Sequence, residues 1–258
     1  MKTPRLISIA AGLTTVFLIL PIIGLVQKVP WTRLVDLLKS STVTDALYLS
    51  LTVSSISAVI ILILGTPLAW VLARVQKPGL RFLRAVVMLP MVLPPVVGGT
   101  ALLFALGRRG LVGQWLDNWF NFSLPFTTAG SVVAASFVAM PFYVIAVEGA
   151  LRTNSQELEE LASTLGAKPA TVLRRITLPR LRPAIGAGLA LAWARALGEF
   201  GATVTFAGNL PGRTQTLPLA TFLALETDPE AALVLSLIML VLSLIILLSL
   251  RDYWVLKR

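Results

Sequence analysis

Carboxylates and guanidinium groups carry what chemistry this sequence offers. It has no histidine and no cysteine. That removes the commonest metal ligand, the usual proton shuttle, any disulfide framework and any lipid-bearing cysteine. Neither GxxxxGKS nor GxxxxGKT occurs, so no phosphate-cradling loop is present and the chain is not expected to hydrolyse ATP itself. No metal site and no cofactor are expected. Two charged groupings remain. Arg195 and Glu199 stand four residues apart in the apolar run ALAWARALGEFGATVTF, a spacing at which helical side chains meet. Ionisable groups inside an apolar span are costly and are functional candidates by default, and the plainer reading is a structural ion pair. Glu157 and Glu160 stand in NSQELEELASTLGAKPATVLRRITLPRLRP, residues 154–183, the longest polar interval between two apolar runs.

That interval reads as two short helices. Asn154 is placed to cap the first, with Glu157 three residues on as in a capping box. Leu158, Leu161, Ala162 and Leu165 follow at helical spacing and form an apolar face. Gly166 suits a left-handed cap. Pro169 suits the first position of the next helix, and Pro179 is expected to stop it. On pattern alone, an ordinary amphipathic loop between membrane spans fits as well.

Composition sets the surroundings. Of 258 residues, 56% are hydrophobic and 13% charged, with mean hydropathy +0.85. Several apolar runs reach the roughly 20 residues a helix needs to cross a bilayer. A polytopic helical membrane protein is the reading that fits. The net charge of +10 would suit nucleic acid, but basic residues flanking membrane spans explain it better, and no nucleic-acid partner is expected.

The expected fold is all-α with six transmembrane helices. Residues 6–26 form the first; a signal peptide is the rival, but no small-x-small cleavage site follows. Trp31, Leu34, Val35 and Leu38 share a face of a short interfacial helix, completing a first unit over 1–45. The second span, 46–73, carries Ser50, Thr52, Ser54, Ser55 and Ser57, which favour close helix contact. The third, 85–106, is broken by LPMVLPPVVGG: Pro90, Pro94 and Pro95 remove donors, and Gly98 and Gly99 permit close approach. Irregular backbone at membrane depth is tolerated only when buried in protein or lining a cavity, so this is either a kinked packing helix or a pathway wall. Residues 131–150, interrupted by Pro141, are the fourth span, with Glu148 expected to be solvated near its end. Residues 184–206 are the fifth, where Gly198 and Gly201 would let another backbone come close. TQTLPLATFLALE is apolar but too short to cross and is expected to dip back into the membrane. Residues 231–250 are the sixth, in a core unit of 46–250 followed by a tail, 251–258.

Charge sets the orientation. The segments this scheme places inside hold fifteen of the twenty-two Lys and Arg, and the outer ones hold six: Lys28, Arg33, Lys39, Arg108, Arg109 and Arg213. Both termini and Glu160 are therefore expected on the cytoplasmic side. Arg108, Arg109 and Arg213 would raise the local anion concentration at the outer mouth, or be plain solvated surface.

Glu160, Ala162, Gly166, Ile176, Leu178 and Pro179 resemble the cytoplasmic signature of ABC importer permeases, Glu-Ala-Ala, three residues, Gly, nine residues, Ile-x-Leu-Pro. Leu161 departs from it where the first Ala would stand. The resemblance implies a coupling helix over about 154–166 that sits in a cleft of the ATPase. Glu160 would make a polar or ionic contact there, and Leu158, Leu161 and Leu165 would anchor the helix. RALGEFGAT, LPMVLPPVVGG and GRRGLVG make the chain similar, over roughly 46–250, to the permeases of molybdate ABC importers, with sulfate and tungstate permeases as related alternatives. This implies a type I ABC importer transmembrane domain in a cell inner membrane. It further implies a homodimer, two ATPase subunits and an external binding protein. The pathway between the copies would be lined by the third and fifth spans, placing Pro94, Pro95, Gly98, Gly99, Arg195 and Glu199 near it. An ion-coupled secondary transporter is the rival class, but only Glu199 could serve as its midplane carboxylate.

Overall fold

In the computed structural model, residues 5–75, 77–153 and 157–255 are described, and every regular element among them is helical. The predicted cap Asn154 lies outside the described residues. Helix α1 (Arg5–Lys28) is exposed over residues 6–24, and Leu25 and Val26 are half-buried. The short α2 (Leu34–Leu38) buries Leu37, whereas Trp31, Val35 and Leu38 of the predicted apolar face are exposed. Helices α3 (Ser41–Arg74) and α7 (Thr128–Thr153) run through the centre. Between them come α4 (Leu80–Val92), α5 (Pro95–Leu106) and α6 (Gly113–Phe120). The polar interval supplies α8 (Glu157–Thr164) and α9 (Pro169–Val172), then a π-helical turn, Leu173–Thr177. The chain finishes with α10 (Leu178–Leu197), α11 (Gly201–Phe206), α12 (Leu217–Thr227) and α13 (Pro229–Val255).

The main core joins α3, α7 and α10 through Ile61, Leu72, Tyr143, Val147, Leu181 and Ala192, all at most 1% exposed. Small and hydroxylated residues bring these helices together, as the serine-rich second span predicts. Ser57 Oγ donates to the Val132 carbonyl at 3.1 Å, Ser50 Oγ accepts the Leu217 N–H at 2.6 Å, and Trp193 Nε1 donates to Ser55 Oγ at 3.2 Å. At Gly65 an added Cβ would fall 2.8 Å from the Tyr143 ring, so only glycine admits that ring here. Pro141 does not interrupt α7.

Among the described residues, four helices are long and apolar enough to cross a membrane: those over 6–28, 41–74, 128–153 and 229–249. The pair α4–α5 adds a fifth if its halves, bent by 119° at Leu93–Pro94, count as one span. The Leu93 φ/ψ of −62° and 135° is the extended conformation that a following proline enforces. Helix α10 has the length of a span, but it carries three cations, Arg180, Arg182 and Arg195. The predicted fifth span is not continuous. It stops at Leu197, and α11 restarts at Gly201. The apolar segment before the last span is helical as α12, with Leu217, Leu219 and Ala220 buried beside α3 and α13.

Candidate functional site

Helix α8 ends as its sequence dictates. Gly166 takes φ +84°, its N–H bonds the Ser163 carbonyl at 3.0 Å, and the Ala167 N–H bonds the Ala162 carbonyl at 2.9 Å. This is the paired-bond closure that a left-handed glycine allows. Pro169 opens α9 at its start, with Lys168 as extended cap. Pro179 does not stop the following helix. The chain widens into the π turn, and the Leu178 N–H reaches the Leu173 carbonyl. Pro179 then falls in the first turn of α10, where a missing N–H costs little. Ile176, Leu178 and Pro179 are half-buried along this continuous run.

One face of α8 is apolar and bare. Leu158, Leu161 and Leu165 are 48%, 57% and 81% exposed, while Ala162 is half-buried. Glu160 is exposed too. The acid that ties α8 to the helical core is Glu159, which the sequence reading passed over. Its Oε1 accepts Arg74 Nη2 at 3.0 Å and Thr177 Oγ1 at 3.0 Å. Arg74 lies in the last turn of α3 with its guanidinium carbon 5.8 Å from the centre of the Trp70 ring. Thr177 closes the π turn and is buried. One carboxylate thus fastens α8 to both α3 and the entry of α10.

A second acid at the same end corrects another expectation. Glu148 is not solvated; it is 5% exposed. Its Oε1 accepts Arg84 Nη2 at 2.5 Å and Arg152 Nε at 2.9 Å. Both arginines also donate to the Leu72 carbonyl near the end of α3, at 3.2 and 2.9 Å. Three elements, α3, α4 and α7, meet there around one carboxylate.

The predicted intramembrane pair forms. Arg195 Nη2 stands 2.6 Å from Glu199 Oε2, off-line for a hydrogen bond, and the Glu199 side chain is 1% exposed. Its other oxygen accepts the Ala202 N–H at 2.8 Å. Glu199 therefore lies beyond the end of α10 and caps α11, placing negative charge where free N–H groups begin a helix. The structural role expected for this pair has a definite form: it splices the break in the chain.

That splice meets the proline-glycine segment. A Cβ on Gly201 would lie 2.5 Å from Pro95 Cβ, and one on Gly99 would lie 2.7 Å from Thr205 Cβ and 2.8 Å from the Ala202 carbonyl oxygen. Gly98 faces the Phe137 ring. Gly99 and Gly201 thus allow α5 and α11 to touch backbone to backbone. Gly198 does not share this role, since only the Ala194 oxygen of its own helix is near, at 3.7 Å. Pro94 and Pro95 are exposed at the bend.

At the opposite end of α7, a cavity of about 690 Å³ brings together Arg108, Ser123, Thr127 and Arg213. Arg109 does not line it. Arg108 is only loosely held by Asp117, at 3.8 Å.

Residues 62–258 match the family described as the binding-protein-dependent transport system inner membrane component. The chain belongs to this family. It is 45% identical over 246 residues to the molybdenum transport system permease protein ModB of Mycobacterium tuberculosis, covering 95% of this chain and 93% of that one. To the sulfate transport system permease protein CysT of Salmonella typhimurium it is 34% identical, over 91% of this chain and 86% of that one. In fold it is similar to a chain of a bacterial ABC transporter involved in the import of the acidic polysaccharide alginate. That likeness has a TM-score of 0.75, with 19% identity, and covers 98% of this chain and 96% of the other. As an inner membrane transport component with several apolar helices, this family member is a multi-pass membrane protein. The residues of the predicted signature, on α8 to α10, fall within the matched range.

Proposed function

We propose that this chain is the permease subunit of an ATP-driven importer whose cargo is a tetrahedral oxyanion, with the ATPase activity on a partner chain. The cargo we assign is molybdate. The support is the higher identity to a molybdenum permease, 45%, than to a sulfate permease, 34%. Tungstate has nearly the size and charge of molybdate, so it stands beside it as the alternative anion, ahead of sulfate or thiosulfate.

The observation that carries the coupling role is α8 itself. Three leucines are left bare on a helix whose opposite side is anchored by Glu159. An exposed apolar face held in place by an ion pair fits a cleft in a partner. That partner is a separate ATPase, with one copy for each permease of a homodimer. An external binding protein delivers the anion. Six spans result when α4–α5 and α10–α11 each count as one, with the α8 end in the cytoplasm along with both termini. Residues 46–250 are the importer core. The pathway runs between the two copies beside α5 and α11. ATP closes the ATPases, moves the paired α8 helices and switches the spans from inward-facing to outward-facing.

The cavity with Arg108 and Arg213 supplies positive charge at the outer mouth. A divalent oxyanion is expensive to desolvate, and hydroxyls and N–H groups along a pathway offer weak contacts that still permit release.

The test is ATP-driven molybdate uptake into vesicles holding this chain, its ATPase and its binding protein, with Glu160→Lys compared and with sulfate and tungstate as competitors. Uptake that needs ATP and collapses in the folded variant supports the reading. Uptake that persists without the ATPase and follows a proton or sodium gradient would overturn it in favour of a secondary transporter.

A further inference from the structure

The loop between α3 and α4 bounds a cavity of about 640 Å³. Four cations line it: Lys77, Arg81, Arg84 and Arg152. Glu148 pairs with Arg84 and Arg152 and offsets one charge, leaving an excess of three. Among the described residues, Lys77 and Arg81 have no ion-pair partner, and both are exposed. The arginines on the other side are fixed by Glu148 and the Leu72 carbonyl, so half of the basic rim is rigid before anything binds.

A second cavity, of about 410 Å³, lies further along the same two helices. The basic cavity has Leu72 of α3 and Arg84 of α4 in its wall; the second has Leu68 and Leu64 of α3 and Val87 and Pro90 of α4. Each step is one helical turn, about 5 Å, so the two openings are stacked along the crevice. Met140 and Pro141 of α7 form part of the second wall, and its lining is apolar except for Ser136. A compact basic cavity at a helix end, with an oily groove one helical turn further along the same helices, has the polarity of a phospholipid.

We propose that the α3–α4 crevice binds one anionic phospholipid, with its phosphate in the basic cavity and an acyl chain in the apolar groove. Basic pockets between membrane helices recognise anionic headgroups in this way. The crevice lies at the α8 end of the bundle, so in the orientation proposed above the lipid belongs to the cytoplasmic leaflet. Its phosphate would bridge the α3–α4 loop, through Lys77 and Arg81, to the Arg84–Glu148–Arg152 cluster.

Native mass spectrometry of the full-length chain in detergent tests this without ATP or anion transport, so its outcome is separate from that of the importer reading. The probes are dioleoyl phosphatidylglycerol, dioleoyl phosphatidylcholine, glycerol 3-phosphate and inorganic phosphate. The expected result is tighter binding of phosphatidylglycerol than phosphatidylcholine, by roughly 10-fold or more for two freed cations. The double variant Lys77→Ala/Arg81→Ala should lose that preference, and Lys77→Arg/Arg81→Lys should keep it. Val87→Trp, or Leu64→Trp if the first variant does not fold, should weaken phosphatidylglycerol binding by blocking the groove. Three results would each overturn the proposal: an unchanged preference in the alanine variant, unchanged lipid binding in both groove variants, or glycerol 3-phosphate or phosphate binding as tightly as the lipid, which would make the cavity a site for a free anion.

Discussion

Glu159 Oε1 accepts Arg74 Nη2 at 3.0 Å across 85 positions of sequence, and the same oxygen takes the Thr177 hydroxyl. The Arg74 and Glu159 side chains are only 12% and 20% exposed, so this pair is better shielded than most surface bridges. It fixes the angle at which α8 leaves the helical core. In the proposed mechanism this is the joint through which ATPase motion would reach α3 and α10. Glu159→Gln should therefore lower molybdate transported per ATP hydrolysed more than it lowers ATPase association. A double-mutant cycle of Arg74→Ala and Glu159→Ala should return a coupling energy of about 0.5–3 kcal/mol in thermal unfolding of the purified chain. A coupling near zero would show that the two residues do not act together.

The bare leucines predict a separable effect. Leu161→Asp should weaken association with the ATPase by about tenfold or more, because apolar anchors dominate such contacts. The permease alone should unfold at an unchanged temperature, since Leu161 is exposed. Titration of labelled ATPase onto the reconstituted permease reads the first quantity, and thermal unfolding the second.

Glu148 should behave as a structural residue. Glu148→Gln keeps the size but removes the charge that Arg84 and Arg152 share. A loss of about 1–3 kcal/mol in unfolding free energy is expected, the usual cost of leaving buried hydrogen-bonding partners poorly served. Chemical unfolding in mild detergent measures it.

Two glycines three positions apart should respond oppositely. Gly201→Ala drives a methyl against Pro95 and should cost about 1–3 kcal/mol, the range for overpacking. Gly198→Ala meets nothing closer than 3.7 Å and should be tolerated. If both variants unfold alike, the α5–α11 contact is not as tight as described.

Gly166 tests the cap. At φ +84° an alanine is strained, so Gly166→Ala should destabilise the end of α8 by about 1 kcal/mol. Hydrogen exchange at the Gly166-position and Ala167 amides, which close the helix, should speed up several-fold.

Local chemistry let the sequence determine a good deal by itself. Hydropathy placed the long apolar helices, because a bilayer admits only backbone that satisfies its own hydrogen bonds. The left-handed cap at Gly166, the start at Pro169 and the meeting of Arg195 with Glu199 all follow from residue type and spacing within a few positions. Tertiary structure decided what depends on distant partners. Glu159 and Glu160 are adjacent and chemically alike, and only the arrival of Arg74 and Thr177 makes the first an anchor and leaves the second bare. Glu148 looks like a solvated helix end until Arg84 and Arg152 close over it. Pro179 reads as a stop until the π turn moves it into the first turn of α10. Gly198 and Gly201 are indistinguishable in sequence, and only the approach of Pro95 separates them. In each case the deciding energy comes from a group far along the chain, which no local pattern records.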